Sequence, residues 1–165
     1  MQNTIIAPEL VTLLNYRIQQ EELSSRIYLA MSIWLNINGY TGASALWKAY
    51  SDEERSHAEW SYKYLLDLNI LPTVPALDRP VGVFKSLPDI IIKSYEHEVD
   101  ITEQCQQLAR TAQQLGDYMT LDLAQKFLRE QVDELAKTNY WIDRLQAFGG
   151  EPAALRLLDD EMKNH

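Results

Sequence analysis

The chain has 165 residues, 46% of them hydrophobic and 10% aromatic, which suits one compact unit spanning 1–165 with a sizeable core and excludes a disordered chain. A net charge of −9 and a pI near 4.8 exclude sequence-independent nucleic-acid binding, which needs clustered Lys and Arg, and favour cations as partners. The lone Cys105 excludes an internal disulfide and a cysteine-only metal site; with no signal-like N-terminus and no run approaching about 20 apolar residues, a cytoplasmic protein without membrane contact is expected.

From about Ala7 to Asn36, Leu10, Leu14, Ile18, Tyr28 and Leu35 recur at three- and four-residue steps, the period of a helix face, and Glu21 falls on that stripe. Gly39 and Gly42 interrupt it, and Ser44 is the expected N-cap of a second helix. The second stripe runs through Leu46, Tyr50, Glu54, His57, Ser61, Tyr64 and Leu68. Pro72, Pro75, Pro80 and Gly82 then mark a crossover between Asn69 and Ser86, since this composition cannot propagate a helix. Extended, about 17 residues reach roughly 55 Å, more than the ~39 Å length of a 26-residue helix, so helices two and three can run parallel.

The third stripe holds its spacing through Leu87, Ile91, Ser94, Glu98, Ile101, Cys105, Leu108, Ala112 and Leu115, with Glu98 near its middle. The fourth runs Ala124, Phe127, Gln131, Glu134, Thr138, Trp141, Leu145 and Phe148, and is closed by Gly149 and Gly150. Glu151-Pro152 reads as the start of a short fifth helix, about 151–163, carrying Leu155, Leu158 and Met162. The fold class is therefore all-α: a four-helix bundle over about 7–148 with one long crossover between helices two and three, plus a C-terminal helix.

Glu is seldom fully buried unless paired, yet four helices each place one on the apolar stripe at similar depth. Bound cations would offset the desolvation that opposes burying carboxylates together, the more so because no Lys or Arg is expected mid-bundle in core phase. A Glu on each of two helices and a Glu-x-x-His on each of the other two make a di-iron or di-manganese site in a bundle. This chain has Glu54-x-x-His57 on helix two but Gln131-x-x-Glu134 on helix four. In the simplest assignment Glu21, Glu54 and His57 hold one metal, Glu54 bridges, and Glu98 with Glu134 holds the second, with Gln131 beside it. Oxygen ligands with one nitrogen suit iron or manganese, and zinc can also bind; redox chemistry favours iron.

Tyr28, seven residues after Glu21, shares its face; it either assists the metals, by hydrogen-bonding a ligand or passing an electron, or simply satisfies its hydroxyl on a carboxylate. Trp34, Trp47, Trp60 and Trp141 read as packing residues and Cys105 as a small buried hydrophobe. His97 is one residue off the core phase and is expected to face solvent or another subunit, and His165 ends the chain.

With these residues in hand, the chain resembles the non-haem ferritins of the ferritin-like di-iron family, bacterial or algal type, over nearly its full length. EELSSRIYLAMSIW is similar to the first-helix ferroxidase segment, SDEERSHAEW to the second, SYEHEVDITEQ to the third and REQVDELAKTNYWI to the fourth; GGEPAALRLLDDEM is similar to the bend into the fifth helix. The resemblance implies ferroxidase ligands at Glu21, Glu54, His57, Glu98 and Glu134, with Gln131 and Tyr28 beside them. It implies a third iron position from Glu53, Glu130 and Asp133 with Glu134, and mineral nucleation on Glu53 and Glu59. Haem is not expected, since Arg55 stands where haem-binding relatives carry Met. Acids lining an iron-access channel would fall at Leu121 and Ala124, leaving Asp117 and Asp122 as substitutes. The implied activity is iron storage and detoxification: Fe(II) is oxidised by dioxygen or peroxide and deposited as ferric oxyhydroxide inside a homo-oligomeric, twenty-four-subunit cage. Two rivals are a di-metal oxidase or hydroxylase that retains its iron or manganese, and a DNA-protecting mini-ferritin, against which the absence of a basic tail argues.

Overall fold

The structure, a computed structural model, describes residues 5–165. Five helices follow in order: α1 (Pro8–Ile37), α2 (Thr41–Asp67), α3 (Leu87–Gln114), α4 (Tyr118–Phe148) and α5 (Pro152–Met162). No strand occurs among the described residues, and no described helix is long and apolar enough to cross a membrane.

Local chemistry accounts for most of the helix ends. Pro8 occupies the first turn of α1, where its missing N–H is not needed. Ser86 caps α3 by accepting from Asp89 N, and Asp117 caps α4 by accepting from Thr120 N. Asp117 is thereby bound to its own helix. The expected cap at Ser44 is corrected: α2 begins at Thr41, because Gly39 in the left-handed region (φ 77°) reverses the chain and the Tyr40 N–H closes back on Leu35 O at 2.9 Å. Ser44 is instead buried and donates to Ser32 O of α1 at 2.9 Å, joining the two helices.

Two apolar clusters fix the topology. One joins the end of α1 (Tyr28, Met31, Leu35), the starts of α2 (Ala43, Trp47) and α3 (Leu87, Ile90, Ile91), Trp141 late in α4, and α5. The other joins Leu10, Leu14 and Ile18 of α1, Leu65 of α2, Leu108 and Ala112 of α3, and Ala124 of α4. The starts of α2 and α3 thus share one end of the bundle, so these helices run parallel and the segment from Asn69 to Ser86 returns the chain along its length. The α5 helix closes the first end: Leu155, Leu158 and Met162 supply its buried face, and Ala43 N donates to Asp159 Oδ1 at 2.7 Å.

The helix registers follow the stripes with one offset. On α2 the buried centre runs through Ala43, Trp47, Ser51, Glu54, His57, Ala58, Ser61 and Leu65, whereas Leu46, Tyr50, Tyr64 and Leu68 are half-buried at its edge. Trp47 fills the core because its indole N–H finds Ser94 Oγ at 2.9 Å. Leu115, placed on the third stripe, is exposed, since α3 ends at Gln114.

Candidate metal centre

Between the two apolar clusters lies a polar layer. Glu21 of α1, Glu54 and His57 of α2, Glu98 of α3, and Gln131 and Glu134 of α4 are all buried there. The helical three-residue step puts Glu54 and His57, and likewise Gln131 and Glu134, on one face and one turn apart.

Three sets of ligand-capable atoms form in this layer, each with its atoms within 4.8 Å of one another: Glu21, Glu54 and His57; Glu54, Glu98 and Glu134; and Glu53, His57, Glu130 and Glu134. Glu54 belongs to the first two, His57 to the first and third, and Glu134 to the second and third. The imidazole sits among carboxylates on both sides, with Nδ1 at 3.6 Å from Glu54 and 3.9 Å from Glu21, and Nε2 at 3.5 Å from Glu130. Asp133 does not join the third set. It lies exposed, because the residue before Glu134 is turned about 100° around the helix. Glu59 is also exposed.

Glu98 is held at both oxygens. The Tyr28 hydroxyl donates to Oε1, and Gln131 Nε2 donates to Oε2 at 3.0 Å and to Thr102 Oγ1 at 3.2 Å. Gln131 thus aims a neighbouring carboxylate with its amide, which the ionised Glu of a second Glu-x-x-His could not do, since a carboxylate only accepts. Burial and the facing Glu54 raise the Glu98 carboxyl to about 7, against the lowering effect of its two donors. Burial raises Glu134 to about 8, even with the Lys137 ammonium opposing the shift. Burial alone would lower the His57 pKa, but Glu54 first, then Glu134 and Glu130, carry it above its ordinary value. Tyr28 is pushed well up by burial and by Glu98 and Glu54, so it stays a neutral donor.

Two cations overturn the expectation that the layer has no basic counter-ion. Arg17, one turn before Glu21 on α1, is only 1% exposed; its Nη2 lies against Glu21 Oε1, off hydrogen-bonding geometry, and its Nη1 donates to Gln104 Oε1 at 2.6 Å. The guanidinium also lies 5.5 Å from the Phe127 ring centre. Lys137, one turn after Glu134 on α4, reaches Glu134 Oε1 and both oxygens of Glu53 at 2.9 Å. The signal for each was present in sequence as a base three or four residues from a core-phase Glu on the same helix.

His97 is likewise corrected. It is half-buried between α3 and α1, with Nε2 at 2.8 Å from Ser24 Oγ and its ring edge-on to Tyr28, and burial lowers its pKa. The serine hydroxyl gives the ring a partner within the chain. Cys105 is fully buried beside Ile101 and Phe127, and burial raises its thiol pKa. Trp60 packs on both His57 and Phe127, walling one side of the imidazole.

Comparison with known proteins agrees with this architecture. The family described as ferritin-like domain matches residues 11–148. The bacterial non-heme ferritin of Escherichia coli is 30% identical over 158 residues, covering 96% of this chain and 96% of the relative. That of Campylobacter jejuni is 32% identical over 160 residues, covering 97% and 96%. Among solved structures, an open-pore ferritin from the archaeon Archaeoglobus fulgidus superimposes with a TM-score of 0.93 at 28% identity, covering 97% of this chain and 99% of that one.

Proposed function

Because the chain belongs to the ferritin family, we propose that it stores and detoxifies iron, with Fe(II) as substrate rather than resident cofactor. Two Fe(II) ions are taken up at the first and second ligand sets and share Glu54. Their electrons pass to dioxygen or peroxide, and Fe(III) moves on as ferric oxyhydroxide into the cavity of a homo-oligomeric cage of twenty-four chains.

The observation that supports this reading most is the double membership of Glu54. One buried carboxylate stands within reach of two separate ligand sets, sealed above and below by apolar side chains. A shared carboxylate keeps two cations close enough to deliver electrons to one oxidant molecule. Glu21 and His57 complete the first position; Glu98, aimed by Tyr28 and Gln131, completes the second with Glu134. The second position has no imidazole, and it is the one from which iron departs more readily. All three sets come from a single chain, unlike a mini-ferritin centre built between subunits.

Aerobic Fe(II) addition tests the reading. The parent protein is expected to oxidise and hold many irons per chain in a particle of unchanged size. Glu54→Ala is expected to keep the particle and lose rapid oxidation. Uptake that stops at two irons per chain would replace storage with a retained di-metal cofactor.

A further inference from the structure

An ammonium group has three protons to donate, and Lys137 spends all of them on two carboxylates: its three contacts, each 2.9 Å, go to Glu53 Oε1, Glu53 Oε2 and Glu134 Oε1. These carboxylates are not incidental surface groups. Glu53 and Glu134 are half of the third ligand set, and Glu134 also completes the second. A fixed monovalent cation therefore stands where the carboxylates of a metal position converge.

The placement follows from helix geometry. Glu134 and Lys137 are one turn apart on α4, while Glu53 reaches across from α2, so the ammonium spans the gap between the helices. Its side chain is 33% exposed and Glu130 is 26% exposed, so this corner of the polar layer opens outward while Glu54 and Glu98 stay enclosed. A four-carbon stem with a wet tip can swing out without unpacking the core. The aromatic face of Tyr50, 5.9 Å from Nζ, offers a second resting contact.

We propose that Lys137 is a built-in competitor cation: in the metal-free chain it holds Glu53 and Glu134, and a divalent ion must displace it to fill the second or third position. The inference rests on the di-metal reading above and adds a tethered competitor to it. Lys137 touches no member of the first set, whose Glu21 has its own cation in Arg17, so the competition by Lys137 falls on the second and third sets alone. Ions at the outer positions are held less firmly because the tethered ammonium is always at hand to take back their ligands. The residue sets affinity through Glu53 and Glu134 and is not itself a ligand.

The test is calorimetric titration with Zn(II), which reports binding without any oxidation, on the full-length parent, Lys137→Met and Lys137→Arg, with Glu54→Ala alongside. In the parent a tight class of sites is expected with a weaker one. Lys137→Met should tighten the weaker class about tenfold, the scale expected for removing a close, partly buried charge competitor, and add a third equivalent per chain. Lys137→Arg keeps the charge and should titrate like the parent. Lys137→Gln repeats the neutralisation with a polar side chain, and thermal midpoints identify any variant whose fold has changed. Parent-like binding in both neutral variants, or an arginine variant that behaves like the methionine one, overturns the competitor role. If Glu54→Ala abolishes Zn(II) binding while the Lys137 variants change nothing, the di-metal reading stands and this inference alone falls; a parent that binds no Zn(II) removes both.

Discussion

Arg17→Leu separates two roles that a buried arginine can play. Leucine keeps apolar contact with Phe127 but removes the cation beside Glu21, leaving a carboxylate 2% exposed whose remaining polar neighbours are Glu54 and His57. Removing one partner of a buried ion pair costs about 3–5 kcal/mol. For a chain of this size each kcal/mol moves the thermal midpoint by roughly 2–4 °C, so the metal-free variant should melt roughly 6–20 °C below the metal-free parent.

Zn(II) reverses the logic, because a divalent ion at the first position supplies the charge that Arg17 supplied. At a free concentration 1,000 times Kd, binding to the folded state alone adds about 4.1 kcal/mol. The variant gains more than the parent, since its Glu21 reaches the ion without a guanidinium to displace. Thermal melts of both proteins, metal-free and Zn(II)-saturated, should show the gap shrinking to less than half with metal present. An equal gap in the two states would refute the counter-ion argument and leave Arg17 as a packing residue.

Two further outcomes follow from the same structure. In the metal-free chain Glu98 and Glu134 hold protons up to about pH 7 and 8, against an ordinary carboxylate value of 4.5, and His57 is raised as well; folded-state pKa values raised in this way favour the protonated chain, so metal-free stability should fall as pH rises from about 5 through 8, and Zn(II) filling both positions at pH 6.5 should expel about two to three protons per chain. Titration in buffers of different ionisation enthalpy measures that release, and a heat independent of buffer would contradict it. Gly42→Ala tests the seat of α5: an added Cβ would lie 1.9 Å from Asp159 O and 2.7 Å from Lys163 Cγ, a clash with backbone whose relief costs about 1–3 kcal/mol or more. Amide exchange should rise across α5 while α3 around Cys105 stays protected; unchanged α5 protection would show that the close approach is not structural.

The parts of this molecule that could be read from sequence are those governed by helical period and local capping. The stripe from Leu87 to Ala112 predicts the buried face of α3 at every position it names, missing only Ile90, and the one carboxylate it points inward, Glu98, is inward. What could not be read came from tertiary contacts. Gly42 at the start of α2 leaves room for the backbone of α5, a constraint set by residues more than a hundred positions away. The buried face of α2 was offset by one residue because Trp47 finds a hydrogen-bond partner on α3. Asp133 enters only through the family resemblance, and the 100° helical step leaves it exposed beside the buried Glu134. The two bases are the opposite case: Arg and Lys are ordinarily surface residues, yet Arg17 falls on the inner face of α1 and is buried.

Those two bases explain how the polar layer can fold before any metal arrives. Glu21, Glu54, Glu98 and Glu134 cannot all be buried as bare anions. The outer two have fixed cations, Arg17 on Glu21 and Lys137 on Glu134. The middle two, Glu54 and Glu98, have none, and the remaining charge is reduced by protons that burial keeps on Glu98 up to about pH 7 and on Glu134 up to about pH 8. A divalent ion displaces a mobile proton more easily than a tethered side chain that must swing aside. Metal is therefore drawn first to the shared carboxylate at the centre and gains its outer ligands only by competing with the chain's own cations. Gln131 in place of a second acid-imidazole pair acts in the same direction: it donates to Glu98 and adds neither charge nor imidazole, so the second position depends on ligands already engaged elsewhere. A centre that is stable when empty and loosely held at one side is suited to passing iron through rather than keeping it.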